Sequence, residues 1–521
     1  MTPESGAEWR PSSNPWLIGL AVVAASFIEV LDTTIVSVAQ PYMAGNLGAT
    51  NDEASWVLTS YLISNAVILP ASSWLSMFFG RKRFLMLCTA IFIGASVLCG
   101  MAPTMPALIL ARIVQGAGGG ALLPLSQAIL LESFPREKQG MAMAMLGFGV
   151  VVAPVLGPLL GGWLTDNYSW RWVFYINVPI GLLALLLMAR YIEDPPYIRE
   201  SRPGTIDATG FALLALWLGT LQVVLDKGQE KDWFASSWIT WLTVISAASF
   251  LAMIARELVT AEPIVDLRVF RDRNFGIGNV VNALTMAVMY SGLTTVPMFL
   301  QTLLGYTAET SGVATAPRGI GSMAAMPLAG LLMAYMDARL LLAGGIACLA
   351  ASTFMLGNLT LDVSMASIAW PICLQGVGCS LLIVPLMTIA VGRLPQEKIG
   401  NGSGLFNLVR NLGGSIGISV ATTCLARMTQ VHQADLVSHL TPYDPIFQQR
   451  LSMITGKMSV YGVGPQAQMQ AYGLLNGILM QQANLKAYVD LYYWTALAAA
   501  LCLPTAWLLK KVVSKGGAGV H

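Results

Sequence analysis

The chain has 521 residues, of which 55% are hydrophobic and only 11% are charged. A soluble globular domain is about 25% charged, so this composition excludes an ordinary soluble fold and indicates a membrane protein with many spanning helices. The net charge of +2 says nothing about partners by itself, and we expect no nucleic-acid partner.

Because a spanning helix needs about 20 apolar residues, the hydropathy pattern predicts fourteen membrane-spanning segments. They cover residues 17–40, 54–77, 84–103, 106–132, 139–165, 169–191, 207–226, 236–256, 275–300, 311–335, 339–359, 366–392, 400–426 and 487–509. The polar residues before the first segment and the length of that segment predict an uncleaved first span. The expected fold class is an all-α polytopic membrane protein.

The first predicted span carries two acidic residues, Glu29 and Asp32, which are three positions apart and therefore on one helix face. A charge at the bilayer centre costs about 2.5–3.5 kcal/mol, so each acid needs a physical reason. Two neighbouring carboxylates away from bulk water favour a bound proton on one of them, as coupling to protons requires. The alternative is that one or both acids lie hydrated near the outer end of the helix.

The fourth span holds another intramembrane charge, Arg112, in the sequence Arg112-x-x-Gln115-Gly116. Close to a carboxylate, this arginine would stabilise the ionised form, and helix motion that separates the two would remove the effect. The alternative is a structural arginine bonded to backbone carbonyls. Arg410 in the thirteenth span either lines a cavity or fixes its helix, and Arg318 in the tenth either snorkels or binds a ligand.

The fifth span is unusually rich in glycine and proline, with Pro154, Gly157, Pro158, Gly161 and Gly162. Proline kinks a helix and glycine costs about 1 kcal/mol relative to alanine, so in lipid such a helix needs close neighbours. Gly157 and Gly161 lie on one flat face. The pattern favours a bent, tightly packed helix between two bundles that move against each other. The alternative is an ordinary packing helix.

An internal repeat divides the chain. Residues of the fourth span and of the loop after it recur 260 positions later: Gln115, Gly116, Gly118, Pro135, Glu137, Lys138 and Gly140 match Gln375, Gly376, Gly378, Pro395, Glu397, Lys398 and Gly400. Spans one to six then pair with spans nine to fourteen in parallel orientation. The predicted domains are a six-helix bundle at 1–192, a linker with two extra spans at 193–274, and a second six-helix bundle at 275–521.

The loops predict an orientation. An even number of spans puts both termini on one side, and that side carries nineteen lysines and arginines against seven on the other. The positive-inside rule therefore predicts cytoplasmic termini. Residues 427–486, between the last two spans, are predicted to form an external loop of short amphipathic helices, or alternatively an unstructured insert.

Five motifs are spread over nearly the whole chain. They are Leu31-Asp32-x-Thr34, the fifth-span glycine-proline pattern, Trp170-Arg171-Trp172 with Asn177, Pro263-Ile264-Val265-Asp266, and Asn407-x-x-Arg410. Together they resemble the fourteen-span drug:proton antiporters of the major facilitator superfamily, and most of all the inner-membrane pumps of Emr-type tripartite efflux systems. The resemblance implies a major facilitator fold of two six-helix bundles plus two inserted helices.

The resemblance also implies a function: proton-coupled export of amphipathic toxic compounds from the cytoplasm or inner leaflet of a bacterial inner membrane. Asp32, Glu29 and Arg112 would carry the proton coupling. The candidates to line the substrate route are Trp74, Gln115, Asn279, Asn282, Asn407 and Arg410. Loop 427–486 would dock a periplasmic adaptor (membrane fusion) protein that continues to an outer-membrane channel.

Two positions depart from the family pattern. Met77 stands where an aspartate is usual in the loop after the second span, so the charge-relay gate usually drawn there cannot operate in that form. Ser37 stands where the first-helix motif commonly has asparagine, which puts a polar contact at that position in doubt.

No signal for an enzyme, a metal site or a cofactor other than the coupling proton is found. A G-x-x-x-x-G-K-[ST] loop is absent, so ATP hydrolysis is not expected, and the seven cysteines lie in or beside apolar runs without C-x-x-C spacing. Two other functions stay open. One is export of a single physiological solute such as a fatty acid, siderophore or amino-acid derivative, and the other is a non-transporting sensor with the same fold.

Overall fold

The computed structural model describes residues 11–509 except 136–137, 196–206, 261–262, 393, 439, 442 and 459–464. Within these residues the regular secondary structure is helical, and no strand occurs. The expectation of an all-α fold is therefore confirmed.

The described residues of the first part of the chain form ten α-helices. They are α1 (Pro15–Leu47), α2 (Asn51–Phe79), α3 (Arg81–Met101), α4 (Met105–Gly119), α5 (Leu122–Ser133), α6 (Gln139–Asn167), α7 (Trp172–Tyr175), α8 (Asn177–Tyr191), α9 (Ala208–Lys227) and α10 (Ser237–Val259). Local chemistry explains several ends. Thr50 and Glu53 form a capping box at the start of α2, and Gly80, with a φ of 86°, joins α2 directly to α3.

Nine α-helices are found in the second part, counted over the residues that the structure describes. They are α11 (Arg273–Thr302), α12 (Ala308–Thr315), α13 (Pro317–Tyr335), α14 (Ala338–Leu356), α15 (Met365–Val391), α16 (Gln396–Ser438), α17 (Pro445–Met458), α18 (Pro465–Cys502) and α19 (Thr505–Leu508). Asp272 caps α11 by accepting a hydrogen bond from the backbone N–H of Phe275, which fixes where the second bundle begins.

Eleven helices of the described residues are long and apolar enough to cross a membrane. A twelfth span is α6, whose two parts, Gln139–Pro154 and Leu159–Asn167, meet at a bend of 40°. The bend lies at the glycine-proline pattern, as expected where proline removes backbone donors. The helices α13 and α16 cover the remaining two predicted spans but are not among these twelve, so the count of fourteen is not fully established.

The fourth predicted span contains a break between α4 and α5. The break lies at Gly120, where a Cβ would stand only 2.4 Å from the carbonyl oxygen of Asn65 in α2. Only glycine permits this approach of the two backbones. The break therefore coincides with a close approach of α2, whose backbone fills the space that a side chain would need.

The segment 427–486 contains one short helix of the kind predicted, α17, whereas the described residues on either side of it extend two long helices. α16 continues without interruption to Ser438, and the last spanning helix, α18, begins as early as Pro465. His432 and Asp490 join the two helices by a contact of 2.7 Å, and Thr429 donates to Asn484 at 3.0 Å. The segment is mainly an extension of two spanning helices, with α17 as its one separate helix among the described residues.

The packing of matched glycines agrees with the internal repeat. A Cβ on Gly116 would lie 2.4 Å from the carbonyl oxygen of Tyr61 in α2, and a Cβ on Gly376 would lie 2.0 Å from that of Arg318 in α13. α4 and α15 therefore occupy equivalent positions against α2 and α13. The repeat found in the sequence is a repeat of helix packing.

Two helix pairs form the largest contacts between the two bundles. α6 packs against α13, and α2 packs against α16. Glycines allow both contacts, since a Cβ on Gly330 would lie 3.0 Å from Ala144 and a Cβ on Gly404 would lie 3.3 Å from the carbonyl oxygen of Leu69. The inserted helix α9 packs against α2 and α16, and α10 packs against α9. The division into three domains stays a prediction.

Candidate functional site

Asp32 lies in α1 and is completely buried, with donors from two other helices. Arg112 of α4 forms a salt bridge to Oδ2. Oδ1 accepts hydrogen bonds from Gln115 Nε2 at 2.9 Å and from Asn177 Nδ2 of α8 at 2.8 Å. Ser96 Oγ of α3 accepts from both amides, at 3.2 and 3.1 Å. The carboxylate therefore joins α1, α3, α4 and α8 through one buried polar network.

Arg112 is as deeply buried as its partner. Its Nε donates to the carbonyl oxygen of Val57 at 3.0 Å, and the guanidinium carbon lies 4.2 Å from the ring centre of Tyr61. Arg112 thus binds both a carboxylate and a backbone carbonyl. Losing one partner of a buried ion pair costs about 3–5 kcal/mol, so displacement of α4 from α1 acts strongly on Asp32.

The local sequence of α4 explains how the two side chains enter this network. Gly116 and Gly118 bring the helix backbone against α2 and α3, as a Cβ on Gly118 would lie 2.7 Å from the backbone nitrogen of Phe92. Gln115 adjoins this contact, and Arg112 lies about one turn before it on the same face. The side chains of Arg112 and Gln115 therefore lie between α1 on one side and α2 and α3 on the other.

Glu29 lies on the same face of α1 but has different partners. Asn65 Nδ2 of α2 donates to its Oε1 at 3.0 Å, and Oε2 has no hydrogen-bond partner in the described part of the chain. Arg410 of α16 is close enough for its charge to act on this carboxyl group. Glu29 and Asp32 are 8% and 0% exposed, so neither acid lies hydrated at a helix end.

Three members of the site were missed by sequence reasoning. Ser96, Asn177 and Asn65 each hydrogen-bond an acid or a partner of an acid and lie on three different helices. Asn177 stands inside one of the recognised motifs, so its place there was a usable signal. Ser96 and Asn65 are single polar residues in apolar runs, and no spacing relates them to Asp32.

Three asparagines proposed to line the substrate route lie close to the contact of the two bundles. Asn282 of α11 donates to the carbonyl oxygen of Phe406 at 2.9 Å, and Asn407 donates across the bundles to Gln127 of α5. Asn279 donates to its own helix, at the carbonyl oxygen of Phe275. The Oδ1 atoms of the three asparagines have no partner among the described residues, so they remain available as acceptors.

The three other route candidates are placed differently. Trp74 lies in the last part of α2, stacks on Phe78 with ring centres 5.4 Å apart, and takes no part in the Asp32 network. Arg410 is 9% exposed, and its Nε has no hydrogen-bond partner within the described ranges. Gln115 belongs to the acid network rather than to an open route.

The glycine-proline pattern of α6 forms the contact with α1. A Cβ on Gly157 would lie 2.2 Å from Thr34 Oγ1, and a Cβ on Gly161 would lie 3.0 Å from the carbonyl oxygen of Ile35. Gly162 has nothing within 4 Å of that position, and Pro154 is half-buried. The side chain of Pro158 lies outside the described residues. The pattern thus packs directly beside the turn of α1 that carries Asp32.

Although Met77 replaces the aspartate that is usual in the family, a buried acid–base pair is present at this end of the bundle. Arg81, four residues later, forms a buried salt bridge with Glu132 of α5. A Cβ on Gly400 of α16 would lie 4.0 Å from Arg81 NH2, so this pair borders the contact of the two bundles. The acidic partner at this end of the bundle is supplied by α5.

A family model described as Major Facilitator Superfamily matches residues 22–418. The chain belongs to this superfamily. Multidrug export protein EmrB of Haemophilus influenzae is 36% identical over 500 residues, which are 95% of each chain. Fatty acid resistance protein FarB of Neisseria gonorrhoeae is 36% identical over 502 residues, 96% of each chain. Multidrug export protein EmrB of Escherichia coli strain K12 is 35% identical over 505 residues, 96% of this chain and 97% of that one.

Solved structures with little sequence identity share the fold. The proton:xylose symporter XylE superposes with a TM-score of 0.57 at 15% identity, over 93% of this chain and 94% of that chain. The human organic anion transporter MFSD10 superposes with a TM-score of 0.59 at 12% identity, over 93% and 98%. These likenesses confirm the expected major facilitator fold, and this multi-pass membrane protein has the architecture of transporters of that superfamily.

Proposed function

We propose that this protein exports amphipathic toxic compounds from the cytoplasm or inner leaflet of a bacterial inner membrane in exchange for protons. The relatives that match nearly the whole chain include proteins named for multidrug export. The observation that carries the proposal is the buried network of Asp32 and Arg112, with Glu29 one turn away. Ionisable groups so deep in a membrane protein are expensive and are typical of proton relays.

Asp32 and Glu29 have different roles in proton coupling. Asp32 is compensated by Arg112 and by two amide donors. Glu29 has a single side-chain donor, and an uncompensated buried carboxylate is costly, so the neutral form of Glu29 suits this arrangement. Proton release then follows when bundle motion brings Arg410 closer to Glu29, and Asp32 exchanges its proton when α4 moves away.

The available driving force is sufficient for export. One proton moving down roughly 100 mV supplies about 2.3 kcal/mol, which sustains a substrate gradient of about fiftyfold. The coupling would require no cofactor besides the proton.

Purified protein in proteoliposomes tests the proposal. A pH gradient should drive transport of an amphipathic dye by the native protein, and Asp32→Asn or Glu29→Gln should abolish the effect of the gradient while the dye still binds. Asp362→Asn, which changes an exposed loop carboxylate, serves as the control. Gradient-driven transport that survives both buried substitutions would refute the roles of the acids. Absence of any flux by the native protein would favour the non-transporting sensor.

We propose further that both termini are cytoplasmic and that the outer ends of α16 and α18, with α17, dock a periplasmic adaptor that leads to an outer-membrane channel. Support comes from exposed apolar side chains on this projection, which include Ile446, Met453, Met469 and Tyr472. Replacing residues 439–464 by a short glycine-serine linker should preserve flux in proteoliposomes but remove drug resistance in cells. Loss of both activities, or of neither, would contradict the docking role.

A second candidate is export of one physiological solute. The relative named for fatty acid resistance is as similar to this chain, at 36% identity, as the relative named for multidrug export. Resistance conferred on a drug-sensitive strain against a panel of unrelated compounds and long-chain fatty acids separates the two. Protection against fatty acids alone would favour the single-solute exporter.

A further inference from the structure

Arg318 is a half-buried cation at the start of α13 in the second bundle. Its Nε donates to Gln375 Oε1 of α15 at 3.0 Å, and its NH2 donates to the carbonyl oxygen of Gly292 in α11 at 3.5 Å. The side chain is therefore directed at neighbouring helices, unlike a snorkelling residue. No carboxylate of the described residues forms a salt bridge with it.

The residues around Arg318 match those around Asp32, except that the position matching Asp32 carries no acid. Gln375 and Gly292 follow Gln115 and Asp32 by the same 260 positions as the other matched residues. Gln115 Nε2 donates to the Asp32 carboxylate at 2.9 Å. Gln375 Nε2 instead lies against Gly292, where a Cβ would be 2.6 Å away, and has no acceptor in the described part of the chain. The amide donor is thus retained, and its carboxylate is missing.

The cation is supplied from a different helix in the second bundle. Arg318 takes the place of Tyr61, since the carbonyl oxygens of these two residues contact the matched glycines of α15 and α4. The contact with Gly376 leaves the backbone of Arg318 no freedom to move toward α15. The guanidinium and the amide of Gln375 are already in contact before any ligand binds, through the bond from Arg318 Nε to Gln375 Oε1.

Other groups around Arg318 add donors and positive charge. Tyr492 of α18 and Cys379 are close enough to interact electrostatically with Arg318. The Tyr492 hydroxyl is buried and has no hydrogen-bond partner of normal length among the described residues. The charge of Arg410 also reaches Cys379. The charges of Arg318 and Arg410 thus both act on Cys379, so positive charge prevails in this part of the second bundle.

We propose that Arg318, Gln375 Nε2 and the Tyr492 hydroxyl bind the carboxylate of an anionic amphipathic substrate. The ligand carboxylate takes the role that Asp32 has in the first bundle, accepting charge-assisted hydrogen bonds from a guanidinium and an amide. Its apolar chain remains among the apolar helices. The inference rests on the proposed export function, because it assigns a substrate class to the transport path between the bundles.

Binding of three matched probes to the full chain in nanodiscs tests the site. Dodecanoate carries the carboxylate, dodecanol has the same chain without charge, and ethidium is a cationic control; empty nanodiscs correct for partition into lipid. Arg318→Gln should weaken dodecanoate binding roughly ten- to hundredfold and leave the other two probes unchanged. Gln375→Glu, which is isosteric and supplies an internal carboxylate for Arg318, should weaken dodecanoate in the same selective way.

Two further variants separate loss of the donor geometry from loss of positive charge in general. Arg318→Lys preserves the charge but loses the planar donor fork, so its affinity for dodecanoate should lie between those of the native protein and Arg318→Gln. Arg190→Gln removes an exposed cation of α8 and should change nothing. A uniform loss of all three probes in Arg318→Gln, or unchanged dodecanoate affinity, would overturn the proposal.

The result separates this site from the proposed function. Proton-driven dye transport by native protein that does not bind dodecanoate would overturn the carboxylate site and leave the exporter intact. Selective, Arg318-dependent dodecanoate binding by a protein without any proton-driven flux would support the site and refute the export mechanism.

Discussion

Substitution of Gly116 by alanine probes how closely α4 must approach α2. The new Cβ would lie 2.4 Å from the carbonyl oxygen of Tyr61 and 3.1 Å from Cβ of Ser64. To restore normal contact distances, α4 would have to move away from α2 by about 1 Å. This movement would stretch the 3.0 Å hydrogen bond from Arg112 Nε to the carbonyl oxygen of Val57 beyond hydrogen-bond length. Overpacking costs about 1–3 kcal/mol and a lost bond to a charged group about 1.5–3 kcal/mol.

Gly94→Ala is the matched control, because a Cβ on Gly94 of α3 has nothing within 4 Å. This variant should be neutral or more stable by up to about 1 kcal/mol, since alanine favours a helix. Thermal unfolding midpoints of the purified variants measure the difference, and gradient-driven dye transport should fail only in Gly116→Ala. Equal midpoints for the two variants, or normal coupling in Gly116→Ala, would refute the reasoning that this glycine sets the geometry of the Asp32 network.

Three further outcomes are expected. Arg81→Gln should destabilise the protein by about 3–5 kcal/mol by removing the buried salt bridge to Glu132, and Glu132→Gln added to it should restore much of the loss in the same thermal assay. Trp233→Phe removes the 3.1 Å bond that joins the loop after α9 to α16, so proteolysis of that loop should accelerate, and an unchanged rate would contradict the contact. A hydrogen bond from the Ser12 hydroxyl holds the pKa of Glu193 below its usual value, so this contact is present above the pKa of the unfolded chain and is lost as pH falls through the lower folded value. The protection of the Ser12 amide, measured as its exchange rate relative to the intrinsic rate at the same pH, should therefore decrease over that range and stay constant in Glu193→Gln.

The sequence predicted the charged centre of the site better than its supporting residues. Asp32 and Arg112 are recognisable because a charge in an apolar run needs a partner, and Gln115 follows from its motif. Ser96 and Asn65 could not be predicted, because polar residues of low cost occur in many spanning helices for packing reasons alone. Which of them meets an acid depends on how helices distant in the chain pack together.

Hydropathy also explains why the long helices that flank α17 in the segment 427–486 were not predicted. A helix that extends beyond the bilayer loses its apolar composition at the membrane surface but keeps its backbone hydrogen bonds. A hydropathy profile therefore marks the end of the apolar segment, although the helix itself continues. Residues such as Thr429 and Asn484 are polar and still pair one helix with the other. The arrangement of the repeat was predicted well, because the matched glycines mark backbone contacts that only one residue type permits.

Because α16 is unbroken, a small tilt at the bundle contact displaces its outer end by a large distance. From Asn407, at the contact of the two bundles, to Ser438 the helix runs for about 47 Å, and a tilt of roughly 10° displaces its tip by about 8 Å. Since His432 is tied to Asp490, the neighbouring arm of α18 swings with it. A small rotation at the bundle contact is thereby amplified into a larger displacement at the far end of the two helices, which is where the proposed adaptor would bind.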